Sequence, residues 1–204
     1  PNYIYLEYAE AEKFLKEADI LLFRGTGLIS SLIKIASIGK YSHIAIISKT
    51  NNHWEAVEFR EWKGGRSVNL KNYIELFKQS KTYIDVFRPV TKFNSITFDS
   101  QTKKIFEKTT DFNGKLVTDC MRSLTGLSYS YKRIWLLLKM KLFKWKILSN
   151  LDFITNDMPT NEVIMPVCST VLSHCFSKNN FDILSNRSDE FTEPSHFALS
   201  PRIN

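Results

Sequence analysis

Glycine and proline are scarce in this chain, 7 and 6 among 204 residues, which excludes a collagen-like or low-complexity polymer. Cysteine is scarcer still. Three residues, an odd number, exclude a secreted miniprotein held together by disulfides and fit a reducing compartment where a lone thiol stays reactive. Long apolar runs are missing as well. The densest, Ile134 to Leu138, falls far short of the roughly 20 residues that span a bilayer. The opening residues PNYIYLEYAEAEKF are acidic and interrupted, unlike the basic start and apolar core of a signal peptide. The expectation is a chain that stays in the cytoplasm of the producing cell.

What is present is an ordinary globular composition. Hydrophobic residues make up 43%, charged residues 24% and aromatics 13%, too apolar for intrinsic disorder. The length suits one domain, taken as residues 1–204. Lys and Arg exceed Asp and Glu by 28 to 21, a net +7, so nucleic acid, anionic lipid or an acidic polymer could each be attracted.

Periodicity gives a mixed pattern. Glu7–Lys16 reads as a short helix and Asp19–Phe23 as a buried strand. Gly25-Thr26-Gly27 reads as a turn, followed by a helix on Leu28, Leu32 and Ile35 that ends near Gly39. Tyr41–Ser48 and His53–Glu61 form a hairpin around Thr50-Asn51-Asn52, broken by Lys63-Gly64-Gly65, and Thr82–Phe87 is a further strand. Asp99–Leu124 reads as helix interrupted at Asn113-Gly114, Tyr131–Leu148 as an aromatic, Lys-rich helical stretch, and Ser149–Pro166 as loop. Cys168–Phe176 is a short helix starting just after Pro166. Helices at both ends with three or four antiparallel strands between them make an α+β fold, not the alternation of a nucleotide-binding domain.

Four histidines and three cysteines keep the list of reactive candidates short. Cys168 opens a helix, where the positive end of the dipole favours a thiolate. His43 lies in the Tyr41–Ser48 strand, whose hairpin partner carries Glu55 and Glu58. A base beside a thiol, oriented by a carboxylate, is the arrangement nucleophilic catalysis needs, with backbone N–H groups at the helix start as oxyanion donors. Core packing would equally explain a strand His and a helix Cys. Glu55 and Glu58 lie three apart and so face opposite sides of a regular strand. Glu58 is the expected third member, and Glu55 would replace it only if a bulge reset the phase.

Several segments in order carry a resemblance: Asp19-Ile-Leu-Leu-Phe-Arg24, Tyr41-Ser-His-Ile-Ala-Ile46, Val57-Glu-Phe-Arg-Glu61 with Gly64-Gly65-Arg66, Thr125-Gly-Leu-Ser-Tyr129, Val167-Cys-Ser169, and Glu193-Pro-Ser195 with Leu199-Ser-Pro201. Together they resemble the circularly permuted NlpC-type papain-like superfamily, over roughly residues 18 to 201. Ala18 stands where that pattern commonly has Gly, and Thr170 where many relatives carry an acid. The resemblance implies a small antiparallel sheet or partial barrel packed on helices, with Cys168 as nucleophile, His43 as base and Glu58 as third member. It further implies a cysteine hydrolase that cleaves an amide through a thioacyl intermediate, first of all in peptidoglycan stem peptides, and a phage, prophage or bacterial source. A lipid-directed acyl hydrolase or acyltransferase is the rival enzyme. A virion component that keeps the fold without turnover is the rival of another kind.

The remaining candidates point to structure. Cys175, two turns beyond Cys168, and Cys120 read as core residues, and His53, His174 and His196 as solvated or capping groups. Cys168, His174 and Cys175 lack a fourth ligand at zinc spacing, and Gly25-Thr26-Gly27 lacks the Lys of a phosphate loop, so no metal or cofactor is expected. Within the helical insertion around 131–148, Lys132, Arg133, Lys139, Lys141, Lys144 and Lys146 occur without an acid among Trp135, Met140, Leu142, Phe143 and Trp145. Lysines reaching past aromatics packed on the core explain this. So does an interfacial surface for anionic lipid or cell-wall polymer through Lys139, Lys141, Lys144 and Lys146. Specific nucleic-acid binding is not expected, for want of a recognition module. Oligomeric state is not legible.

Overall fold

The runs ILLF and IAII are apolar at every position, the mark of strands covered on both faces rather than one. The computed structural model, which describes residues 4–25, 39–79, 82–99, 101, 104–129, 167–184 and 192–203, bears this out. β1 (Ile20–Arg24), β2 (His43–Thr50), β3 (His53–Arg60), β4 (Gly64–Asn69) and β5 (Tyr83–Phe87) form one antiparallel sheet in the order β4-β3-β2-β1-β5. Ile20, Leu22, Ile44, Ile46, Val57 and Phe59 belong to the core on one face; Leu21, Phe23, Ala45, Ile47 and Ala56 belong to that on the other.

Helices cover both faces. α1 (Tyr8–Ala11) precedes the sheet, and α2 (Leu70–Gln79) lays Leu70, Tyr73, Ile74 and Phe77 on the second face. α3 (Gly114–Ser123) and α4 (Cys168–Lys178) pack against each other and against β2 and β3 on the first face. α5 (Pro194–Phe197) adds Phe197 to that core. A separate hairpin, β6 (Lys92–Asp99) with β7 (Lys104–Asp111), stands apart from the main sheet.

The mixed α+β class is therefore right, while several details differ from expectation. Lys104–Asp111, expected as helix, is a strand. Ile96, Thr97 and Phe98 pair with Glu107, Phe106 and Ile105, and their β-branched and aromatic side chains suit a pleated ladder better than a helix. The first helix is a four-residue turn followed by a 3-10 segment, Glu12–Phe14, and stops short of Lys16. The chain does break after β3, but at Glu61–Lys63; Gly64 and Gly65 already belong to β4. Gly64 has φ +65°, and a Cβ there would stand 2.4 Å from the Leu127 carbonyl oxygen, so only glycine lets the 124–127 turn lie on this strand. The predicted turn and helix over 26–38 and the basic stretch 131–148 lie outside the described residues, as does the loop expected over 149–166.

The cysteines also differ. Cys120 in α3 and Cys175 in α4 form a disulfide with Cα atoms 5.6 Å apart, so they are not the two separate core thiols expected, nor do the three cysteines all stay reduced. Cys168 is left as the free thiol. Among the described residues no helix is long and apolar enough to cross a membrane.

Candidate active site

Pairing register puts the first members of the site together. His43 opens β2 opposite Phe23 of β1, and their rings lie 5.2 Å apart. On β3, Glu58 stands opposite Ala45 of β2 and Arg66 of β4. Side chains two apart share a face of a strand, so Glu58 projects beside the one belonging to His43. The contact is direct: His43 Nε2 and Glu58 Oε2 are 2.5 Å apart.

Glu55 goes elsewhere. Its carboxylate receives Ser67 Oγ at 2.6 Å, Arg122 Nη1 at 2.7 Å and His53 Nε2 at 3.1 Å. Burial alone would raise its pKa, but the hydrogen bonds from Ser67, Arg122 and His53 and the Arg122 charge lower it to about 2. This group fastens α3 to the sheet, and no bulge redirects it.

Cys168 arrives from the other end of the chain. Val167 is the extended residue before α4, and its N–H donates to Thr170 Oγ1 at 3.2 Å, a side-chain cap that fixes where the helix begins. The Cys168 side chain interacts with the His43 ring and helps to raise the ring's pKa. With Nε2 engaged by Glu58, Nδ1 is the nitrogen left for the sulfur. The segment after Thr192 tethers both sides: Ser169 Oγ donates to the Thr192 carbonyl at 2.6 Å, and the Tyr41 N–H donates to Ser195 Oγ at 3.2 Å. All three groups are sheltered, with 3% of Cys168, 8% of His43 and none of Glu58 exposed.

Charge in this pocket is strongly coupled. Burial would push the His43 pKa down, yet the Glu58 charge, followed by hydrogen bonds to Cys168 and Glu58, holds it well above the usual histidine value. Burial would push Glu58 up, but the His43 charge and hydrogen bonds from His43, Tyr73 and Arg66 hold it well below the usual carboxylate range. The arrangement can keep a proton on the ring between sulfur and carboxylate, or pass it to and from the sulfur.

Three residues at the site were not singled out from the sequence. Arg66 Nε and Nη2 both donate to Glu58 Oε1, at 2.8 and 2.5 Å. The Tyr73 hydroxyl donates to Glu58 Oε2, and Arg60 Nη1 donates to the Tyr73 oxygen at 2.9 Å. Arg66 was within reach of sequence reasoning, because a three-residue turn after Arg60 brings it opposite Glu58. Tyr73 was not, since it depends on how α2 docks.

The other candidates stay outside this group. His53 bonds Glu55, and His196 Nδ1 accepts the Glu193 N–H at 3.1 Å. Cys175, bound to Cys120, offers no thiolate. Among the described residues no three His, Cys, Asp or Glu side chains form a metal-binding group.

Comparison with known proteins gives a likeness of fold. No family model matches the chain, and no curated protein matches it. Among solved structures it is similar to a metalloprotein, YiiX from Escherichia coli O157:H7, described as DUF1105. The TM-score is 0.55 at 12% identity, over 93% of this chain and 94% of that one. These findings correct the expected membership of the permuted NlpC-type papain-like superfamily: no model of any family matches, and the similar structure is described as a DUF1105 metalloprotein.

Proposed function

We propose that this protein is a thiol-dependent acyl hydrolase, with Cys168 as nucleophile, His43 as base and acid, and Glu58 as the carboxylate that orients the ring. The observation that carries this reading is the single imidazole engaged by Glu58 at 2.5 Å and by the free Cys168. In the first half-reaction the sulfur attacks the carbonyl carbon of an amide or ester while its proton resides on His43 Nδ1. The tetrahedral oxyanion is received by backbone N–H donors near Cys168 at the start of α4. His43 then gives its proton to the leaving amine or alcohol, and the carbon–heteroatom bond breaks to leave a thioester. In the second half, His43 takes a proton from water, hydroxide adds to the thioester, and the acid departs as the sulfur regains its proton.

A metal does not fit this group. Both oxygens of Glu58 already accept hydrogen bonds, and Arg66 brings a full positive charge to the place a cation would occupy. The word metalloprotein belongs to the similar structure and is not carried over.

The first substrate class is the amide bonds of peptidoglycan stem peptides, and the alternative is the acyl bonds of phospholipids. Mass spectrometry of both, digested side by side, tests the reading. One panel should yield product with the wild-type protein and none with Cys168→Ala. Full turnover by Cys168→Ala would overturn the thiol mechanism. No product in either panel, together with no His43-dependent labelling of Cys168 by an electrophilic probe, would favour a protein that keeps the fold without catalysis.

A further inference from the structure

We propose that Tyr73 and Arg66 are positioning residues that hold Glu58 as an acceptor on every side, so that His43 can meet it only through an Nε2–H. The inference rests on the thiol hydrolase reading. Arg66 occupies Oε1 twice, and Tyr73 shares Oε2 with His43. Arg66 can only donate, so a proton on Oε1 would face a donor, and Tyr73, whose oxygen already accepts from Arg60, turns its O–H toward Oε2. The ring proton is thereby assigned to Nε2, and Nδ1 is left with its lone pair toward Cys168.

The charged and titratable groups that bear on Glu58 come from four strands and helices around it: His43 of β2, Arg60 of its own strand, Arg66 of β4 and Tyr73 of α2. Cys168 of α4 acts through the His43 ring. Arg60 matters indirectly, by directing the Tyr73 hydroxyl. The Tyr73 ring also packs on Phe77 and Phe23, with centroids 4.9 and 5.7 Å away, so Tyr73→Phe removes the hydroxyl and retains the packing. Burial and the Glu58 charge hold the Tyr73 pKa far above the usual tyrosine value, which keeps it a donor at all working pH.

The test is proton and ¹⁵N NMR of the full chain with labelled histidine. Wild type should show a downfield Nε2–H resonance, absent from His43→Gln and retained in Cys168→Ala. On acidification that resonance disappears when Glu58 takes a proton, while the amide spectrum is still native. In Tyr73→Phe the disappearance should come about one pH unit higher, and in Arg66→Gln at least as much. Arg66→Lys should recover part of the shift, since it keeps the charge and loses the fork. At alkaline pH, wild type should keep the neutral ring's proton on Nε2, whereas Tyr73→Phe combined with Arg66→Gln should divide it between the two nitrogens. A merely structural role moves neither readout, so unchanged values in these variants overturn the inference. Absence of the resonance from wild type would instead overturn the His43–Glu58 pairing and the hydrolase reading with it.

Discussion

Replacing Glu58 by Gln removes one negative charge from a fully buried position while keeping the side chain's shape. His43 then loses its counter-charge and retains its burial. Two unit charges about 4 Å apart interact by about 4 kcal/mol at the effective dielectric suited to proteins, equivalent to about three pKa units. Taken from a raised value of about 10, that loss returns His43 most of the way to the ordinary histidine value. The pH-dependent stability His43 contributes should largely vanish in consequence. In wild type the raised His43 pKa contributes stability that is complete below about 6.5 and is lost as pH rises toward the raised folded value. In Glu58→Gln the folded and unfolded values nearly coincide, so His43 should contribute little slope through that region. Arg66 is also left without its partner, at a cost of about 3–5 kcal/mol for a buried pair. The lower end applies, because 24% of the Arg66 side chain is exposed and can turn to water. Urea denaturation of both proteins from pH 5 to 8, with histidine NMR alongside, reads both quantities. A variant whose stability still falls with rising pH as wild type's does would refute the assigned coupling.

Three further outcomes follow from the same contacts. Glu55→Gln should lower stability without lowering turnover of the folded protein, since Glu55 serves Arg122 and Ser67. Its lowered pKa, about 2, makes this contribution complete above about 4.5 and lost as pH falls through 2, as an acid denaturation series of both proteins would show. Cys175→Ser, or reduction, should cost about 3–5 kcal/mol for a loop of this size; thiol titration of the unfolded, unreduced wild type should find one group, and three would contradict the Cys120–Cys175 bridge. Changing Lys139, Lys141, Lys144 and Lys146 to Gln should weaken salt-sensitive sedimentation with anionic vesicles or cell walls, each lysine contributing about 1 kcal/mol near such a surface. Sedimentation equal to wild type's would return the stretch to an ordinary solvated face.

What could be read in advance was whatever depends on neighbours in sequence. ILLF and IAII declare strands because no helix face is apolar at every position. The step of three from Glu55 to Glu58 declares opposite faces without any knowledge of the partner strand. The β7 strand was misread as helix because KIFEK spaces its apolar residues in a way that both periods accommodate, and the ladder with β6, a segment with no predicted element, decided the outcome. The disulfide was invisible for a different reason: Cys120 and Cys175 meet only when α3 and α4 lie side by side on the sheet. Tyr73 shares that difficulty. Its spacing in LKNYIELF marks a helix face, but nothing along the chain says that a carboxylate waits under it.

The tether formed by Thr192 and Ser195 has a consequence for synthesis. Tyr41 and Ser195 are separated by 154 positions, and Cys168 itself comes late. A chain emerging from the ribosome completes β1, β2 and β3 long before it can supply the sulfur. Even once α4 is made, its N-terminus gains its anchor at Ser169 only when Thr192 follows. The Cys168–His43–Glu58 group is thus assembled as one of the last acts of folding, and a fragment ending before Thr192 carries the proposed nucleophile without the strap that aims it.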